Sequence, residues 1–146
     1  MGLAEEVFGR LRTTFEGELT DRMAALCTRT KLSPGVLKTL MRLAKTDGVS
    51  MGEMARGIGC DPSYITALVD DLDTRGLARR EAAPYDRRVK IIVLTAEGRA
   101  LADDIAAVFA VPPVSFSALS AAELRQLRDL LDKVIAADTA AVQAAS

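Results

Sequence analysis

A chain of 146 residues is long enough to bury one core and suits a single domain. Nearly half of it is hydrophobic but only 4% is aromatic, so aliphatic and alanine-rich helices are the expected core material. With no histidine and two distant cysteines, Cys27 and Cys60, a Ser–His or Cys–His nucleophile, a disulfide framework and a zinc site are excluded, and the net charge of −1 excludes a chain uniformly coated in positive charge.

No Gly-rich phosphate loop or paired-carboxylate motif stands out, so neither an enzyme, nor a cofactor, nor a metal is expected. No apolar run reaches the roughly 18 residues needed to cross a membrane. Met1-Gly2-Leu3-Ala4-Glu5-Glu6 lacks the basic start and apolar continuation of a signal peptide. These features predict a cytoplasmic protein without a membrane partner.

Residues 3–29 read as a helix, with Val7, Leu11, Phe15, Leu19, Met23 and Leu26 recurring every three or four positions. Ser33-Pro34 restarts the chain as cap and first helical residue, opening a helix over roughly 34–46 with Val36, Leu37, Leu40, Met41 and Ala44 inward. Asp47-Gly48 is a turn signal. Ser50-Met51-Gly52-Glu53 is a capping box for a short helix that Gly59 ends. Asp61-Pro62 opens a fourth helix, whose Ile65, Leu68, Val69 and Leu72 form one apolar stripe, and Gly76 stops it.

The period then changes. Leu77–Glu81 and the β-branched run Val89–Leu94 read as the strands of a two-stranded hairpin with a basic tip. Thr95 caps an alanine-rich helix over 96–110, Pro112-Pro113 breaks it, and Ser120-Ala121-Ala122-Glu123 opens a last helix bearing Leu124, Leu127, Leu131, Val134 and Ile135, with fraying after about 140.

A short helix joined through a glycine turn to a second amphipathic helix is the helix-turn-helix plan, whose second helix enters the major groove. The exposed positions at its start are Ser63, Tyr64, Thr66 and Ala67, with hydroxyls and a methyl suited to base edges. Positive charge concentrates just downstream. Residues 76–95 hold Arg79, Arg80, Arg87, Arg88 and Lys90 against Glu81 and Asp86, whereas 50–75 carry an acidic excess. Arg87 and Arg88 at the hairpin tip suit a narrow minor groove, and Arg79, Arg80 and Lys90 suit phosphates. The fold class predicted is mainly α with a small β-hairpin wing: a winged helix-turn-helix at 33–95, with dimerisation helices at 1–30 and 96–146 in one domain. The helix over 96–110 is apolar or small around much of its circumference, which one short chain rarely covers alone.

The segment Asp86-Arg87-Arg88-Val89-Lys90-Ile91-Ile92-Val93-Leu94-Thr95-Ala96-Glu97-Gly98 resembles the wing signature of the MarR (multiple antibiotic resistance regulator) family, and Leu68–Leu77 is similar to that family's recognition-helix exit. The resemblance spans about residues 15–138. It implies a sequence-specific double-stranded DNA-binding transcriptional regulator, a homodimer on a palindromic operator, acting as a repressor released by a small organic effector. It further implies that Arg88 reaches the minor groove and that Asp86 orients it through an ion pair. Asp70, Asp71 and Asp73 depart from the family pattern, which often has a basic residue near position 71.

Two alternatives stay open. One is a thiol-based redox sensor using Cys60, just before a helix N-terminus, or Cys27. The other is a winged-helix protein-interaction module without DNA binding, which the acidic recognition helix favours.

Overall fold

The structure, a computed structural model, describes residues 2–144. In chain order it comprises α1 (Leu3–Thr30), α2 (Pro34–Leu43), β1 (Val49–Ser50), α3 (Met51–Ile58), α4 (Pro62–Thr74), β2 (Ala78–Ala82), β3 (Lys90–Leu94), α5 (Ala96–Ala110), a 3₁₀ turn (Val114–Ala118) and α6 (Ala121–Ala144). The chain divides into two compact units, Met1–Val111 and Pro112–Ser146.

Local chemistry sets most boundaries. The Ser33 hydroxyl accepts from the Val36 amide at 3.3 Å, with Pro34 in the first turn of α2. Ser50 and Glu53 close the expected capping box: the Glu53 carboxylate accepts from the Ser50 amide at 2.9 Å, and the Glu53 amide donates to the Ser50 hydroxyl at 3.3 Å. Gly59 at φ +68° and Gly76 at φ +70° take the left-handed conformation that ends α3 and follows α4, where any other L residue is strained. Thr95 caps α5 by accepting from the Gly98 amide at 3.0 Å.

The core of the first unit is where these helices converge. Leu37, Leu40 and Leu43 of α2, Met54 of α3, Ile65, Val69 and Leu72 of α4, Ile92 of β3 and Ile105 of α5 are buried. Each such side chain contributes about 1.5–3 kcal/mol at most. The predicted stripe of α4, Ile65, Leu68, Val69 and Leu72, is buried throughout.

Two expectations need correction. The wing is a three-stranded antiparallel sheet in the order β1-β3-β2, not a lone hairpin: Val49 pairs with Ile92 and Ser50 with Ile91. Helix α1 buries only Leu26, and Val7 and Leu19 of its apolar stripe are each 48% exposed, on a helix expected to serve a dimer. Helix α6 runs on through Ala144 rather than fraying near 140.

The stretch Ala96–Ala118 is also long and apolar enough to cross a membrane by length and composition, contrary to the count from sequence. Helix α5 itself supplies 15 residues of it. That is about 22 Å of helix, short of a hydrocarbon core of roughly 30 Å.

Candidate nucleic-acid interface

Helix α4 presents its first turn to solvent. The Asp61 carboxylate accepts from the Ser63 amide at 2.8 Å and also accepts a hydrogen bond from the Ser63 hydroxyl. These bonds, the hydroxyl's first, hold the Asp61 carboxyl below its usual range, so the cap stays ionised beside the helix N-terminus. The Thr66 hydroxyl donates to the Pro62 carbonyl at 2.9 Å. Both hydroxyl protons are therefore taken up locally, at the cap and in the first turn, which leaves the oxygens as acceptors. Ser63, Tyr64, Thr66 and Ala67 are all exposed.

Tyr64 leans toward α2: its hydroxyl occupies the space that a Cβ on Gly35 would need. Tyr64 and Leu68 share a cleft of about 640 Å³ with Lys38 and Arg42 of α2. The Arg42 guanidinium lies across Gly57 of α3, so closely that a methyl there would overlap it. Lys38, Arg42 and Lys45 are exposed and sit one helical turn apart. Sequence reasoning passed over this basic row, although its spacing of four and three was the signal.

The wing tip runs through Pro84, Tyr85, Asp86, Arg87 and Arg88, all exposed. The Asp86 carboxylate accepts from the Arg88 backbone amide at 2.9 Å. No ion pair joins their side chains among the described residues, so Asp86 shapes the turn that carries Arg88 instead of steering its guanidinium. The two side chains are two residues apart in a tight turn, where the amide is the nearer donor. Arg87, Arg88 and Lys90 carry no carboxylate partner among the described residues, and Tyr85 stands 74% exposed beside them.

Arg79 and Arg80 behave differently. Arg79 pairs with Glu81 on its own strand. Arg80 reaches across to the recognition helix, where it pairs with Asp70 and lies 3.8 Å from Asp73. Arg75 closes on Asp71 at 2.7 Å. The three acidic residues of α4 thus face cations of their own chain. The expected phosphate role of Arg79 and Arg80 meets this competition, which sequence spacing does not reveal. Cys27 and Cys60 are free thiols, each half-buried against the core.

A short helix, a glycine turn, a buried-backed second helix and a flanking sheet with a basic tip define a winged helix-turn-helix. The MarR family model matches residues 32–90. The putative transcriptional regulatory protein for the hcr operon of Thauera aromatica is 30% identical over 133 residues, covering 90% of this chain and 72% of that one. A MarR-family transcriptional regulator from Rhodococcus sp. RHA1 superposes with a TM-score of 0.62 at 31% identity, covering 92% and 96% of the two chains. CouR from Rhodococcus jostii RHA1, solved bound to p-coumaroyl-CoA, superposes at 0.63 with 33% identity, covering 92% and 94%. The chain belongs to the MarR family of transcriptional regulators.

Proposed function

We propose that the protein is a cytoplasmic, homodimeric repressor that binds a palindromic operator through α4 and the wing, and releases it when a small organic effector binds. The observation that carries this reading is the exposed first turn of α4 on a wholly buried stripe, beside a wing tip whose Arg87 and Arg88 have no carboxylate partner among the described residues. In this reading Ser63, Tyr64, Thr66 and Ala67 meet base edges, Arg88 enters the minor groove with Arg87 beside it, Lys90 holds a phosphate, and Arg79 and Arg80 do so only by leaving their carboxylates.

The second copy covers apolar surface that one chain leaves open. Leu3, Val7, Phe8 and Leu19 of α1 are exposed, as are Leu124, Leu130, Val134 and Ile135 of α6. Across residues 121–140 of α6 no residue is fully buried. A helix of that composition is stable when it packs on another surface. The terminal helices 1–30 and 96–146 serve the dimer within one MarR-like domain, and 33–95 serve DNA.

The effector site we favour is a mainly apolar cleft of about 560 Å³ within the first unit, walled by Met23 and Cys27 of α1, Met41 of α2 and Phe109 of α5. Lys38 stands at it as the cation for a carboxylate or phosphate group. A pocket of this kind takes an aromatic or lipophilic group bearing an anion; p-coumaroyl-CoA, bound by the Rhodococcus jostii protein, joins an aromatic acyl group to phosphates. Such a ligand releases DNA only by binding the DNA-incompetent form more tightly.

The test is selection of bound duplexes from a random pool. The reading predicts enrichment of a two-fold-symmetric site with half-site centres one turn apart, about 34 Å. Titrating organic acids against that complex then predicts release, whereas release by peroxide alone transfers the switch to the cysteines. A pool that yields no enriched sequence overturns the reading and favours a protein-interaction module.

A further inference from the structure

Asp70, Asp71 and Asp73 are out of place on a helix that enters a polyanion's groove, and DNA binding as proposed above leaves them without a task. We infer that Asp70 and Asp73, through Arg80, act as a specificity-determining discriminator. They hold one flexible cation away from phosphates and so suppress binding to DNA of arbitrary sequence. The inference rests on the DNA-binding reading.

The geometry is specific. Asp70 and Asp73 are three residues apart and share one face of α4. Ala78 and Arg80 share one face of β2, because side chains alternate along a strand. Ala78 is buried there, and Arg80, two residues on, reaches the exposed rim of α4. Its Nη2 donates to Asp70 Oδ1 while Nη1 lies 3.8 Å from Asp73 Oδ2. One guanidinium thus bridges two carboxylates from a neighbouring element.

Stability does not account for the arrangement. The side chains are 37% exposed for Arg80, 53% for Asp70 and 46% for Asp73, and ion pairs that open to water add little to folding. A neutral pair would serve the fold as well. What the carboxylates change is the charge that the reading head offers to DNA. Non-specific complexes are held almost wholly by phosphate contacts, each adding about 0.9 to the slope of log affinity against log salt. In such a loose complex a freed arginine can choose among many phosphates. In the operator complex the base contacts fix the head, and a freed arginine finds fewer partners. Holding Arg80 back therefore weakens wrong sites more than the right one.

The experiment measures two duplexes, the selected operator and a scrambled one of equal length, across a salt series. The proteins are the full chain and three variants: D70N/D73N, D73N alone and R80Q, each checked for folding by circular dichroism. D70N/D73N is expected to bind the scrambled duplex about 10-fold more tightly, with a salt slope steeper by about 1.8, roughly 0.9 for each of the two Arg80 side chains of a dimer, and to gain less on the operator. D73N, which loses only the longer contact, shifts the same way by a smaller factor. R80Q leaves two uncompensated carboxylates and weakens binding to both duplexes. Opposite directions for the two sides of one ion pair distinguish a discriminator from a scaffold. If all folded variants lower binding together, or if scrambled-duplex affinity and slope stay unchanged in D70N/D73N and D73N, the inference is wrong. If the parent binds neither duplex, the DNA-binding reading itself fails.

Discussion

Gly98 sits directly against the carbonyl of Leu77: a Cβ placed on Gly98 would overlap the Leu77 oxygen. The same carbonyl accepts from the Thr95 amide at 3.1 Å, and the Thr95 hydroxyl donates to the Gly76 carbonyl at 2.6 Å. The exit of the recognition helix and the start of α5 are thereby locked together, and at Gly98 the facing atom is a backbone carbonyl that no rotamer change can move.

This lock gives Gly98→Ala a definite sign. Helix propensity alone favours alanine inside a helix by about 1 kcal/mol. Overpacking against a fixed backbone costs about 1–3 kcal/mol or more and should win. Thermal unfolding is expected to show a lowered Tm; a Tm equal to or above the parent's contradicts the packing described.

The wing predicts unequal arginines. Arg88→Ala should weaken operator binding by about 1–3 kcal/mol per half-site, the scale of one good groove contact. Arg79→Ala should cost less and act evenly across sequences, because Arg79 is paired with Glu81 and any phosphate contact must compete with that pair. Asp86→Ala, which removes the acceptor for the Arg88 amide, should lower affinity in the same direction as Arg88→Ala. Equilibrium titration of a labelled operator by the folded variants checks the order; Arg88→Ala binding like the parent would remove the wing from the interface.

The helix caps predict an acid limb. Hydrogen bonds from Ser50, Ser63 and Ser120 hold the carboxyls of Glu53, Asp61 and Glu123 below their usual values. A folded-state pKa below the unfolded one adds stability that is full above the unfolded value and is lost as pH falls through the folded one. Stability should therefore decline as pH drops through the carboxylate range, roughly 5 to 3. Asn also caps helices but does not titrate. The urea midpoint of Asp61→Asn should consequently fall less over that interval than the parent's; an identical decline contradicts the cap's role.

The apolar surface of α6 predicts the oligomer. Leu130 is 51% exposed and Ile135 60% exposed. Sedimentation velocity at micromolar concentration should show a species about twice the 15.6 kDa of one chain. Leu130→Asp with Ile135→Asp should shift it toward the monomer without loss of helix in the first unit. A monomer for the parent chain contradicts the assembly.

How much of this was legible in the sequence follows from the range of each interaction. The caps at Ser33, Ser50, Asp61 and Thr95 depend on residues three or fewer positions away, so spacing alone placed the starts of α2 to α5. The buried stripe of α4 was equally legible, because its four residues repeat at helical period. Strand β1 was not: two residues carry no period, and Val49-Ser50 becomes a strand only by pairing with Ile92 and Ile91. The front of α1 was legible only as a helix, since the stripe from Val7 to Leu19 reads the same whether a core or a second chain covers it. The bridge from Arg80 to Asp70 spans ten residues and two elements, and neither residue announces the other. For Asp86 the sequence points to the right neighbour but the wrong donor: an ion pair with the Arg88 guanidinium is expected, and the carboxylate accepts from the Arg88 amide instead.

Binding to the DNA polyanion through the cations of the wings is tested most directly by the salt dependence of operator affinity. With Arg87, Arg88 and Lys90 from each of two wings, whether in the minor groove or on phosphates, about six cations displace condensed counterions, and log affinity should fall against log salt with a slope of about −5. Affinity for a scrambled duplex should fall in parallel at a lower level. Weak binding at every salt concentration, with a slope near zero, would contradict the account and leave the winged helix as a surface for protein partners.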